Sequence, residues 1–185
     1  MVHLLLLFLH VTAAMGIVAG LGIEGAVLVR VRAARTTAEA RDALGSTRYL
    51  QRLMGLSMLT AIVTGIYLAT AYWGWRGAWM GMAMLTIVAI AVVGGLMTGR
   101  PTKRLMRATD KALGTDEIVA VQGQLSMSYV IRLVLFLGIV FLMTTKPTSG
   151  PSALLVVLVA AAGGVAAGLP VARMRGAQGH PETST

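Results

Sequence analysis

A chain of 185 residues that is 56% hydrophobic and only 12% charged is built to be buried, since a soluble domain carries about 25% charged residues. Its net charge of +9 is confined to clusters between apolar stretches, which argues against a nucleic-acid partner and for a lipid surface. Cysteine is absent, excluding disulfides and thiolate metal sites, and a chain this length made mostly of apolar stretches has no room for a separate soluble domain.

Five apolar stretches, Leu4–Val29, Leu53–Trp73, Ala78–Thr98, Tyr129–Thr144 and Ser152–Ala172, predict an all-α bundle of five transmembrane helices. A hydrocarbon core about 30 Å thick takes about 20 helical residues, a length that four of the stretches meet. Leu125–Ser128 extends the fourth without adding a charge. The expected organisation is one helical domain over 1–175 and a disordered cytoplasmic tail over 176–185.

The first stretch reads as a retained span, because no basic residue precedes it and its apolar character continues to Val29. It carries His10, about five turns from its far end. A polar group in hydrocarbon is costly unless paired, so His10 is a candidate ligand for haem or a metal. The plainer reading is a hydrogen bond to a Ser, Thr or carbonyl of a neighbouring helix. His3 lies about 10 Å away on nearly the same face, too far to share a metal ion with His10. Beyond the span come Arg30, Arg32, Arg35, Arg41, Arg48 and Arg52. Within them Thr36 and Glu39 form a capping-box pattern, and Gly45 suits the end of the short helix that follows.

On the second stretch Thr60, Thr64 and Tyr67 read as helix-packing hydrogen bonds. The connection after it holds Arg76 alone among Tyr72, Trp73, Trp75 and Trp79, an aromatic belt. Met80, Met82 and Met84 open the third stretch, with Met80 and Met84 on one face. With His10 or His3 those two would supply the thioether and imidazole donors that suit Cu(I); methionine as apolar filler is the plainer reading. Arg100, Lys103, Arg104, Arg107 and Lys111 follow, interleaved after Pro101 with Leu105, Met106 and Leu113. That pattern fits an interfacial helix on anionic lipid, or a solvated basic loop.

Asp116 and Glu117 suit the start of a helix that enters the fourth stretch, which carries Arg132. Glu24 and Arg132 are the two formal charges inside the five stretches, and an ion pair between them would offset part of the burial cost of both. Its sharper reading is a proton or ion path. The last connection has only Lys146, and the C-terminal segment has Arg173 and Arg175. Basic residues in the five connecting and terminal segments thus run 6, 1, 5, 1 and 2. By the positive-inside rule, the N-terminus is outside and the C-terminus cytoplasmic. Glycines four apart (Gly16–Gly20, Gly77–Gly81, Gly95–Gly99 and Gly164–Gly168) let helices approach closely, within one bundle or across a homodimer. No nucleotide-binding loop, carboxylate pair or histidine triad marks a catalytic residue.

Two stretches carry a family likeness. Leu9-His10-Val11 is followed by Gly16, Gly20, Gly22, Gly25 and an arginine cluster, and Thr64-Gly65-Ile66-Tyr67-Leu68 has tryptophans just beyond. Together they resemble small bacterial integral-membrane proteins of unknown function, themselves similar to CopD-type copper-resistance proteins and HemJ-type protoporphyrinogen oxidases. The resemblance covers about Leu4–Lys111. It implies a bundle of four or more helices in a bacterial plasma membrane, with His10 at the position of a histidine proposed to bind haem b or copper. The chain departs from that pattern in two ways. It has no Trp within Gly16–Gly20 and no second intramembrane histidine for bis-His ligation, which leaves a single axial ligand, a His/Met pair or a site shared across a dimer. The expected function is a non-enzymatic accessory or interaction subunit with a partner membrane protein or a second copy. The alternatives are a haem-binding redox protein through His10, a copper-handling protein through His10, Met80 and Met84, and an ion-coupled carrier through Glu24 and Arg132.

Overall fold

Every regular element among the described residues is helical; in this computed structural model those residues are 1–34, 36–45, 47–107 and 115–173. The order is α1 (Val2–Ala33), α2 (Thr37–Gly45), α3 (Thr47–Leu68) running into a π-helical turn (Ala69–Trp73), and α4 (Ala78–Val93) running into a second (Gly94–Gly99). Then come α5 (Arg100–Arg107), α6 (Thr115–Thr145) and α7 (Gly150–Arg173). Five segments are long and apolar enough to cross a membrane: Val2–Ala33, Tyr49–Trp73, Ala78–Lys103, Val119–Thr145 and Gly150–Pro170. The expected tail over 176–185 lies outside the described residues, as do Arg35, Lys111 and Leu113.

The fourth span begins well before Tyr129, where hydropathy placed it. Gln122, Ser126 and Ser128 interrupt the apolar pattern there, yet all three are buried. Each has a local partner that removes the cost of burial: Ser126 donates to the Gln122 carbonyl at 2.8 Å, and Ser128 bonds Thr98 at 2.7 Å. Gln122 Nε2 donates to the Val31 and Ala34 carbonyls at 2.8 and 3.2 Å, tying α6 to the end of α1, where helical carbonyls run out of backbone donors.

α6 is the central helix, with 56% of its apolar stretch buried against 17–22% for the other four. α7 packs along it where Gly164 and Gly168 face the α6 backbone. A Cβ on Gly164 would stand 3.1 Å from Ile131 Cα, and one on Gly168 3.6 Å from Met127 Cα. α3 instead packs on α1, where Gly16 and Gly20 face Ser57 and Met54. Two of the four small-residue pairs therefore serve packing inside the bundle. Gly81 and Gly95, from the other two, have open space where a side chain would stand.

α4 packs on α6, α1 touches α6 more lightly, and a seam runs between α3 and α4, which share few direct contacts. Outward faces carry large apolar side chains such as Leu5, Phe8, Leu56, Leu59, Leu155 and Val159. One end, here called the basic end, is closed by α2 and α5. Thr36 Oγ1 accepts from Glu39 N at 3.2 Å as the capping pattern predicts, and Ala40 and Ala43 of α2 bury against Val31 and Val121. The opposite, aromatic end holds Tyr72, Trp73, Trp75 and Trp79; the chain turns there through Gly74, whose φ of 62° suits a residue without Cβ.

Candidate functional site

At the basic end three elements converge on one guanidinium. α1 brings Glu24, α6 brings Arg132, and the second π-helical turn brings Thr98. Arg132 grips Glu24 in a two-pronged ion pair: Nη1 donates to Oε2 at 3.0 Å, and Nη2 donates to Oε1. Nη2 also donates to Thr98 Oγ1 at 3.2 Å, and Nε to the Ser128 carbonyl at 3.3 Å. The hydroxyls of Ser128 and Thr98 then bond each other, closing the network. Such forked geometry is what makes arginine a carboxylate receptor.

The local sequence explains the convergence. Ser128 precedes Arg132 by one helical turn on α6, so both face the same way. Gly94 opens the π-helical turn opposite them, and a Cβ there would stand 3.4 Å from Arg132 Cδ. Widening the helix by one residue per turn re-aims Thr98, and such turns recur at functional sites.

The pair is not walled in. It borders a cavity of about 310 Å³ between α1, α3, the second π-helical turn and α6. Arg132 is 8% exposed and Glu24 19%, so the arginine is the enclosed member and the carboxylate the more accessible one. Thr98 and Thr102 complete the polar wall, with Val27, Leu28, Leu50 and Leu125 on the apolar side. Thr102 Oγ1 is buried there without a hydrogen-bond partner.

The aromatic end holds the other polar site. His10 Nδ1 lies 3.0 Å from Thr64 Oγ1. Thr64 donates its own hydrogen to the Thr60 carbonyl at 2.6 Å, so this network assigns the proton to His10 Nδ1 and leaves Nε2 as the acceptor nitrogen. Gly65 makes room for the ring, since a Cβ there would stand 3.1 Å from His10 Cε1. A second cavity, about 50 Å³, is lined by His10, Met80 and Met84, joined by Met143 of α6. Met82 packs elsewhere, in the cluster of Ile139 and Leu142. His3 lies apart from this site and stacks on Tyr72 with ring centroids 4.3 Å apart.

Among the described residues no three His, Cys, Asp or Glu side chains come together as a metal site, so any metal here would depend on thioethers. The volume suits a single ion and is well below the about 300 Å³ at which small-molecule pockets begin.

Sequence reasoning missed Thr98, Thr102, Ser128 and Met143. Ser128 carried a usable signal, a polar residue four before a charged one inside an apolar helix. Thr98 did not, because the π-helical turn breaks the periodicity on which such an inference depends. Comparison of the chain with protein families, with curated proteins and with solved structures found no match in any of the three.

Proposed function

We propose that this chain is a multi-pass protein of a bacterial plasma membrane that binds a small solute at Glu24 and Arg132, as an ion-coupled carrier would. Five long apolar helices and their apolar outward faces support membrane insertion. Arginine-rich connections at one end and an aromatic belt at the other support an N-terminus outside, with the basic end toward anionic lipid in the cytoplasmic leaflet. Bacterial origin rests on the family resemblance. The observation that carries the functional reading is that the charged pair borders a cavity of about 310 Å³ instead of being sealed by side chains. A structural ion pair has no need of that space, and ionisable groups among apolar helices mark solute and proton paths.

The test is unfolding temperature in detergent against a panel of small anionic, cationic and neutral solutes. At least one class should stabilise the wild type and fail to stabilise Leu28→Trp, whose indole fills the cavity. If no class stabilises the wild type, the solute-binding reading falls and the accessory-subunit reading takes its place.

A second reading has its own observation. His10, Met80, Met84 and Met143 line one small cavity, a donor set of one imidazole and three thioethers that suits Cu(I). Titration with Cu(I) against a chromogenic chelator should show one tight equivalent that His10→Ala and the Met80→Leu/Met84→Leu double variant abolish. Equal copper retention in those variants would remove the reading.

A further inference from the structure

We infer that the solute bound at the basic end is a small monocarboxylate with an apolar tail, and that it enters together with one proton taken up by Glu24. This rests on the solute-binding reading above and names its ligand.

The argument starts from what already occupies the guanidinium. Arg132 presents both terminal nitrogens to the carboxylate of Glu24, so the site is a carboxylate receptor holding an internal ligand. A guest carboxylate of the same shape fits the same fork once Glu24 withdraws. Arg132 is buried and held from behind by the Ser128 carbonyl, whereas Glu24 keeps the greater exposure. Glu24 is therefore the member that moves.

Charge fixes the proton. Glu24 and Arg132 are the charged residues in the described lining of this cavity, so the resting site is neutral. α3 contributes Gln51 and Met54 to the wall, α2 contributes Leu44, the second π-helical turn Gly94 and Thr98, and α5 Thr102; none adds a charge. Outside that lining, Tyr129 of α6 sets its hydroxyl against Gly25, and Arg52, Arg100 and Lys103 adjoin the lining residues Gln51, Gly99 and Thr102 along the chain. An anion entering such a site alone would leave one uncompensated negative charge in an apolar surround, which is strongly disfavoured. Protonating Glu24 keeps the total at zero. In balance, Glu24 carboxylate with Arg132, plus a guest anion and a proton, gives neutral Glu24 with Arg132 paired to the guest.

The remaining walls select the rest of the ligand. Thr98 Oγ1, already on Arg132 Nη2, is the hydroxyl in the lining nearest the guest's carboxylate position. Val27, Leu28, Leu50 and Leu125 offer an apolar tail the surface it requires. A cationic amine would meet Arg132, and a dianionic phosphate would require two protons where one carboxylate is at hand.

The experiment uses the full-length protein in detergent, with hexanoate as the probe and hexanamide as its uncharged counterpart. Binding and proton uptake are followed from about pH 8 to about pH 6, where the probe itself stays ionised. Hexanoate should bind about tenfold more tightly for each pH unit lowered, with one proton taken up per molecule, and hexanamide should bind far more weakly. Glu24→Gln should bind hexanoate with neither pH dependence nor proton uptake.

Hexanoate binding to the wild type without proton uptake would overturn the inference, and this measurement stands even if Glu24→Gln does not fold. Wild-type pH dependence retained in Glu24→Gln would also overturn it. If hexanoate fails and another solute class stabilises the protein, the carboxylate assignment falls and the solute-binding reading survives. If no class binds, both fall.

Discussion

At the basic end Arg132 draws Glu24, Thr98 and the Ser128 backbone from three elements beside a cavity of about 310 Å³; at the aromatic end His10 meets a single hydroxyl, Thr64, over about 50 Å³. Both are polar sites within an apolar bundle, yet they solve the burial problem differently. The imidazole is met by the Thr64 hydroxyl and the Ala61 backbone, and the space around it is nearly filled. The guanidinium is matched in charge and hydrogen bonds, and space is kept beside it although apolar residues are at hand to fill it. Satisfied polarity alone is thus no sign of function. Satisfied polarity beside an open cavity with convergent polar groups is the more informative combination.

Deleting one partner at each end should separate the two most sharply. Arg132→Met strands the Glu24 carboxylate in a low-dielectric site and should cost about 3–5 kcal/mol of stability. Glu24→Gln with Arg132→Met should cost less than the sum of the single changes, since the double variant leaves no unpaired charge. Reversible unfolding in detergent measures both. A cost for Arg132→Met no larger than that for His10→Ala would erase the distinction between the two ends.

Much of the architecture was legible because its signals are local. Hydropathy marked the five long helices, Thr36 and Glu39 marked the start of α2, and two isolated charges marked each other as partners. Asp116 and Glu117 marked the start of the fourth long helix and Leu125–Ser128 its extension, but its apolar stretch reaches back to Val119, past Gln122, whose partners on α1 no local pattern shows. Met143 was invisible for a related reason: it lies some sixty residues from Met80 and Met84, and only the packing of α6 against α4 brings it to their cavity. What pattern reading lacked was the helix-to-helix register, which no single-helix periodicity encodes.

An intermediate effect is expected from glycines, and it tests whether the clamp on α6 belongs to the basic end alone. A side chain on Gly164 would press on the Ile131 backbone, one residue from Arg132, and backbone cannot yield as a side-chain tip does. Gly164→Leu should cost about 1–3 kcal/mol and weaken solute binding at Arg132 with it. Gly81→Leu, near the aromatic end with open space around it, should stay within about 0.5 kcal/mol of wild type. Equal costs would show that both ends are held with the same tightness.

The smallest effect isolates the aromatic-end hydrogen bond itself. His10→Ala removes the imidazole, Thr64→Val removes its acceptor while keeping nearly the same volume, and the double variant removes both. His10→Ala alone mixes the lost hydrogen bond with the space it opens beside Met80 and Met84, so only the cycle isolates the bond. Interhelical hydrogen bonds in an apolar surround couple by about 0.6 kcal/mol, because each partner finds other acceptors when the helices separate. Thr64 illustrates this, since its hydroxyl already donates to the Thr60 carbonyl within its own helix. A His10–Thr64 coupling near that value, against several kcal/mol for Glu24–Arg132, would keep the two ends distinct in kind. A coupling above about 2 kcal/mol would mean that His10 carries charge as it sits against Thr64, as hydrogen bonds to charged groups do. It would also cancel the assignment of Nε2 as an open acceptor, on which the copper reading depends.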